Sequence, residues 1–343
     1  MQITDNPWRG KGLPDGALDD IPWPSVDADA PRALLALCPA AGATPLVVAG
    51  GFTPTVWVKD ERGRMNLGSF KALGAAYVIA HEARCADGED MRHALVGRTY
   101  VTASAGNHGL SVAAGAAVFG AKAVIYLADP VPESFADRLR ARGAEVVRAG
   151  THYEASMEAA QTAAQQNGWT LLSDSSWPNY TELPHRLMEG YLAMAAEAAE
   201  QVPDVPTHII LQAGVGGLAG ACAAHFRQIW GDAPQIIVVE PEAAPALYAS
   251  IEAGAFVSTK GEVSNMGRLD CKEASLIALK GLARDADAFA LLSDAEASAP
   301  LKELAAIDLA TSESGGAGLA VLWHLNLTDE ARVLCILSEG PAE

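Results

Sequence analysis

Basic residues are scarce in this 343-residue chain: 24 Lys and Arg face 42 Asp and Glu, for a formal charge of −18. Such a surface repels phosphate backbones and anionic lipid, which argues against nucleic acid and membrane surfaces as partners. Cysteine is sparse as well. Cys38, Cys85, Cys222, Cys271 and Cys335 are odd in number, scattered and never spaced as C-x-x-C, so neither a disulfide framework nor a thiolate metal site is indicated. No run of ~18 apolar residues occurs, and MQITDNPWRG has no basic stretch leading into an apolar one, so neither a spanning helix nor a secretory leader is expected. Repeats, low-complexity tracts and long linkers are missing too. These absences lead to the expectation of a soluble cytoplasmic protein, of about two domains at ~150 residues each.

What the chain does have is glycine, 32 residues of it, and many alanines, with 50% hydrophobic residues overall. From about Val96, short β-rich runs alternate with longer Ala-rich segments, the pattern of an α/β fold with a mostly parallel sheet flanked by helices. Strands are expected at 100–104, 123–127, 145–148, 170–173, 208–212, 236–240 and 332–337. Helices are expected at 107–119, 132–142, 153–166, 187–201 and 217–230. Before Val96, residues 55–58 read as a short strand and Lys59-Asp60-Glu61-Arg62 as a charged loop. Lys71 then opens an Ala-rich helix running to Ala83 with Ser69 as its cap.

Four elements carry chemistry. Gly214-Val215-Gly216-Gly217-Leu218 joins a strand to a helix, where converging backbone N–H groups and the helix dipole suit a phosphate; a tight connection is the ordinary alternative. Ser104-Ala105-Gly106-Asn107-His108-Gly109 makes a second strand-to-helix nest suited to a carboxylate, although Asn107 alone reads as a helix cap and His108 as a packed or surface residue. Lys71 lies between Phe70 and Ala72 rather than in a charged run, so apolar surroundings would favour its neutral amine and Schiff-base chemistry; a solvated lysine is the alternative. Ser338-Glu339-Gly340 follows the last strand, where α/β sheets present ligand-binding groups, or is simply a terminal turn. Glu240 and Glu242 could hold a cation or serve a helix entry, and no metal is assigned.

Together these elements resemble the fold-type II pyridoxal phosphate enzymes of the tryptophan synthase β superfamily, and most closely the diaminopropionate ammonia-lyases. The likeness also takes in Asp174-Ser175-Ser176-Trp177, Met188-Glu189-Gly190-Tyr191, Glu240-Pro241, Asn265 to Cys271 and Ser314 to Leu319. It implies two domains, a larger cofactor-binding one of residues 1–92 plus 179–343 and a smaller mobile one of residues 93–178. It implies that Lys71 bonds pyridoxal 5'-phosphate, that Gly214 to Leu218 hold the phosphate, that Asn107 bonds the ring hydroxyl and that Ser338 meets the pyridine nitrogen. Ser104, Ala105, Gly106, Asn107 and His108 would wrap the substrate carboxylate, with Asp174 as a catalytic acid or base, though a strand-end turn former reads as well. The implied activity is β-elimination from a small 3-substituted amino acid, giving a 2-oxo acid and ammonia, in a homodimer. A serine, threonine or 3-hydroxyaspartate dehydratase is the near alternative, and a non-catalytic cofactor-binding homologue a distant one. A nicotinamide-dependent oxidoreductase lacks its expected glycine motif after a first strand. The lyases usually carry an aspartate where this chain has Ala105, a departure that implies processing of one enantiomer, the L form.

Overall fold

A computed structural model describes residues 1–341 except 15, 17 and 87–89. In chain order the strands are β1 (Gln2–Asp5), β2 (Leu46–Ala49), β3 (Thr55–Asp60), β4 (Thr99–Ala103), β5 (Lys122–Leu127) and β6 (Glu145–Arg148). They continue with β7 (Thr170–Leu171), β8 (His208–Gln212), β9 (Gln235–Pro241), β10 (Ala288–Leu292) and β11 (Arg332–Leu337). They form a seven-stranded sheet, β1-β10-β9-β8-β11-β3-β2, and a four-stranded sheet, β6-β5-β4-β7. The smaller sheet is parallel throughout; the larger is parallel inside and antiparallel only at its two edge strands. The α/β fold expected from the alternation is therefore present, and β1, β2 and β10 add strands that short apolar runs did not announce.

The sheet centre is buried on both faces, as parallel sheets require. Ile209, Leu211, Leu334 and Ile336 point into one hydrophobic cluster, while Ile210, Val333, Cys335 and Leu337 point into another. That split follows the two-residue period of a strand. Each such side chain contributes about 1.5–3 kcal/mol when fully buried, which makes β8 and β11 a rigid platform for the loops that leave their carboxyl ends.

The segment before Val96 differs most from the sequence reading. Lys59 and Asp60 complete β3, and Lys59, Glu61 and Arg64 are fully buried instead of forming a solvated loop. Lys59 Nζ donates to Glu197 (2.7 Å), and Arg64 donates to Glu61 (2.8 Å) and Glu197 (2.6 Å). Two cations and two anions thus neutralise one another beneath the helix Glu182–Gln201, and Thr44 accepts from Arg64 at 3.0 Å and donates to Glu61 at 2.5 Å. The helix expected from Lys71 to Ala83 is interrupted: Phe70–Leu73 is a 3-10 turn, and an α-helix runs from Ala75 to Cys85 only after Gly74. Ser69 makes no capping bond, because its hydroxyl is buried without a partner.

Candidate active site

Four strand ends converge. β4 runs into Ser104–Gly109, β7 leads to Asp174, β8 runs into Gly214–Leu218, and β11 into Ser338–Glu339. Ligands of open α/β sheets bind at such carboxyl ends.

Lys71 is anchored from β11. Phe70 N–H donates to the Ser338 carbonyl at 3.1 Å, and Ser69 bridges Glu339. The Phe70 ring packs on Tyr191 at 4.9 Å and beneath the Lys71 ammonium at 5.4 Å. Asp174 is held from the other side by a turn over residues 173–180: Ser176 Oγ shares a hydrogen bond with Ser275 Oγ at 2.7 Å and accepts the Ile277 N–H at 2.9 Å. These tethers bring Lys71 Nζ to 2.5 Å from Asp174 Oδ2, with both side chains about one-fifth exposed.

The pairing reverses one expectation. Burial alone pushes the Lys71 ammonium toward its neutral form, but the Asp174 charge and hydrogen bond outweigh it and hold Lys71 above the ordinary lysine range. Asp174 shows the mirror image: burial pushes its carboxyl up, and Lys71 pulls it well below the carboxylate range. The site as it stands stores a proton on Lys71.

The glycine turn after β8 has the shape of an anion cradle. Gly216 sits at φ +95°, and a Cβ on Gly214 would come within about 3.0 Å of Cys271 Sγ and 3.1 Å of the Arg268 carbonyl. Gly217 opens the helix Gly217–Trp230, whose first-turn N–H groups have no carbonyl four residues earlier to bond. Val215 fixes the far side of the turn by accepting from Ser275 N–H at 2.9 Å, and Leu218 is buried beneath it. Beside the cradle, Tyr191 Oη is buried without a partner. A phosphate for the cradle and an amine-reactive carbonyl for Lys71 are what pyridoxal phosphate offers, so the residues present fit it.

In the second nest, Gly106 rather than Asn107 takes the N-cap position of the helix Asn107–Val118. Ser104 Oγ accepts from the amides of Gly106 (3.2 Å) and Gly109 (3.1 Å). Ala105 is partly buried against the core. Asn107 Nδ2 donates to Glu339, which also accepts from Ser312 Oγ at 2.5 Å. His108 is buried; because a carbonyl only accepts, its Nε2 carries the proton donated to the Leu172 carbonyl at 2.8 Å, and Nδ1 has no partner. Burial pushes the pKa of this imidazole below the ordinary histidine range. Ser338 lies buried at the end of β11, the strand next to the one that runs into the cradle. Glu240 is a helix-entry residue, accepting from Leu247 (2.8 Å) and Tyr248 (2.7 Å).

Three further side chains join the site in roles that the sequence reading did not assign to them. Tyr153, half exposed at the start of the helix Tyr153–Asn167, lies close enough to Asp174 to feel its charge. Glu339 and Arg268 lie on the rim, 3.5 Å apart. Glu339 and Arg268 fall inside two segments of the sequence likeness, Ser338 to Gly340 and Asn265 to Cys271, but only the convergence of separate loops shows what their side chains meet.

Residues 37–339 match the pyridoxal-phosphate dependent enzymes. The chain belongs to that family. It is similar to the diaminopropionate ammonia-lyase of Salmonella typhimurium, at 31% identity over 83% of this chain and 81% of that one. The structure of the Escherichia coli diaminopropionate ammonia-lyase with an aminoacrylate-PLP azomethine reaction intermediate superposes with a TM-score of 0.84 at 30% identity, covering 99% of this chain and 93% of that one. The same enzyme with D-serine gives 0.87 at 29% identity, with the same coverage. The chain is thus a fold-type II enzyme that uses pyridoxal phosphate, and its reaction class is that of a lyase. Among the described residues no helix is long and apolar enough to cross a membrane.

Proposed function

We propose that this protein eliminates the β-substituent from a small 3-substituted amino acid of the 2,3-diaminopropionate type, yielding a 2-oxo acid and ammonia. The observation that carries this reading is the Lys71–Asp174 pair, set between a phosphate cradle and a carboxylate nest. When bound, pyridoxal phosphate supplies an electron sink for the carbanion left by α-proton removal. Gly214 to Leu218 would hold its phosphate, Lys71 would bond it covalently, and Asn107 and Ser338 would meet its ring. Ser104, Ala105, Gly106, Asn107 and His108 orient the substrate carboxylate through their backbone.

Lys71 and Asp174 then exchange roles. Once Lys71 Nζ no longer carries a positive charge, Asp174 keeps its burial and loses the partner that held its pKa down, so its carboxyl rises and can take and return a proton at Oδ2. Lys71 Nζ, when free, is the base placed to remove the α-proton. With Ala105 in the carboxylate loop, Asp174 is the one carboxylate among the described residues to which we assign acid–base work, and we expect turnover of the L enantiomer alone. Residues 93–178 are proposed to move as the smaller domain against 1–92 plus 179–343, in a cytoplasmic homodimer.

Visible absorbance tests the cofactor assignment: the wild type should show a band that Lys71→Ala abolishes, and a colourless protein after added pyridoxal phosphate would overturn it. Release of 2-oxo acid and ammonia from L- and D-2,3-diaminopropionate, serine, threonine and 3-hydroxyaspartate then separates lyase from dehydratase. Equal rates on both enantiomers would refute the role given to Ala105.

A further inference from the structure

Arg268 is a cation that the chemistry above leaves without a task. It lies in the loop between the helices Ala246–Ala253 and Leu276–Asp285, with its side chain 42% exposed. Its backbone is tied to the phosphate side: the amide donates to Ser314 Oγ at 3.1 Å, and the carbonyl, not the guanidinium, faces Gly214. Its side chain crosses to the other nest. Cδ, Nε and Nη1 lie 3.4, 3.6 and 3.8 Å from the position a Cβ would take on Gly106. Nε faces Glu339 Oε2 at 3.5 Å, too long for a good hydrogen bond but close enough to orient the fork, and Glu339 is itself fixed by Ser312 and Asn107. Among the described residues, neither Nη atom of Arg268 has a hydrogen-bond partner.

A planar guanidinium with free donors, held on the rim of a ring of backbone amides, matches the geometry of a carboxylate. We propose that Arg268 binds the substrate carboxylate, supplying a full charge opposite the partial charges of the Ser104–His108 amides. This rests on the assignment of that nest to the carboxylate and deepens it. The nest belongs to the small sheet and Arg268 to the loops of the large one, so a carboxylate gripped by both ties the two sheets together across the cleft. Arg268 thereby makes recognition of the acid group depend on a side chain.

The test compares L-alanine, which has no leaving group, with L-alaninamide, which lacks the carboxylate. Their binding to the cofactor-loaded protein is followed by the change in visible absorbance. Wild type should prefer alanine, and Arg268→Gln should weaken alanine binding on the order of ten-fold to a hundred-fold while leaving alaninamide nearly unchanged. Arg268→Lys should recover part of the loss. For a turned-over substrate the same variant should raise KM by a similar factor, with kcat within a few-fold. If wild type does not distinguish the two ligands, the nest assignment itself falls. If wild type distinguishes them and Arg268→Gln does so equally well, or if the variant weakens both ligands alike, the nest stands and the role of Arg268 is overturned.

Discussion

Asp174→Asn is the perturbation that asks most of the Lys71–Asp174 pair. It keeps the side-chain shape and removes a negative charge 2.5 Å from Lys71 Nζ. A unit-charge pair at that separation is worth about 7 kcal/mol at an effective dielectric of ~20. The amide still accepts a hydrogen bond worth ~1 kcal/mol, and water reaching a site one-fifth exposed screens part of the remainder. A net loss of about 3 kcal/mol from the ammonium form corresponds to about a hundred-fold more free amine at a given pH. The sign is fixed by the direction of the shift: the pair holds the Lys71 proton, so its removal moves the amine's titration to lower pH. The assay is the rate at which cofactor-free protein gains visible absorbance on adding pyridoxal phosphate between pH 6 and 9. The variant should react on the order of ten-fold to a hundred-fold faster near pH 7, while its turnover of amino acid falls ~10²–10⁴-fold for want of a positioned acid or base. Superimposable pH profiles for variant and wild type would refute the argument.

Other consequences are open to simpler measurements. Arg64→Met leaves Lys59 as the only buried counter-charge to Glu61 and Glu197 among the described residues, so urea unfolding should show a loss of about 3–5 kcal/mol; a change below 1 kcal/mol would contradict the ion network. Gly190→Ala puts a Cβ 2.1 Å from the Leu73 carbonyl. Overpacking of that kind costs about 1–3 kcal/mol, and because Leu73 closes the turn that carries Lys71, cofactor affinity should drop with stability, as a cofactor titration would show. Burial pushes the Glu240 carboxyl up to about 8, partly offset by the Leu247 and Tyr248 amides. The folded state therefore binds the proton more tightly than the unfolded chain does, and stability falls as pH rises from about 4.5 toward 8. Thermal melts of wild type and Glu240→Gln should diverge across that window, and parallel curves would exclude the effect.

Most of the parallel sheet was legible because its strands are buried on both faces and its helices must cover them. β8 and β11 appear in the sequence as unbroken apolar runs bounded by turn residues, and their observed limits coincide with the expected ones. The nests were legible for a related reason: glycine at the close of a strand marks a backbone that must curl, as at Gly216 with φ +95°. The buried ions were not. Lys59, Glu61 and Arg64 look like a solvated run, and only the approach of Glu197, more than 130 residues away, makes burying them tolerable.

The sequence alone thus determined the layered α/β architecture, the positions of both glycine nests and the isolation of Lys71 from other charges, since local propensity, hydrophobic period and turn chemistry are properties of neighbouring residues. The charge on Lys71, the engagement of Asn107 by Glu339 and the reach of Arg268 to Gly106 were decided by tertiary structure. Each depends on a distance between loops from different strands. Electrostatic and hydrogen-bond energies fall off with that distance, not with separation along the chain.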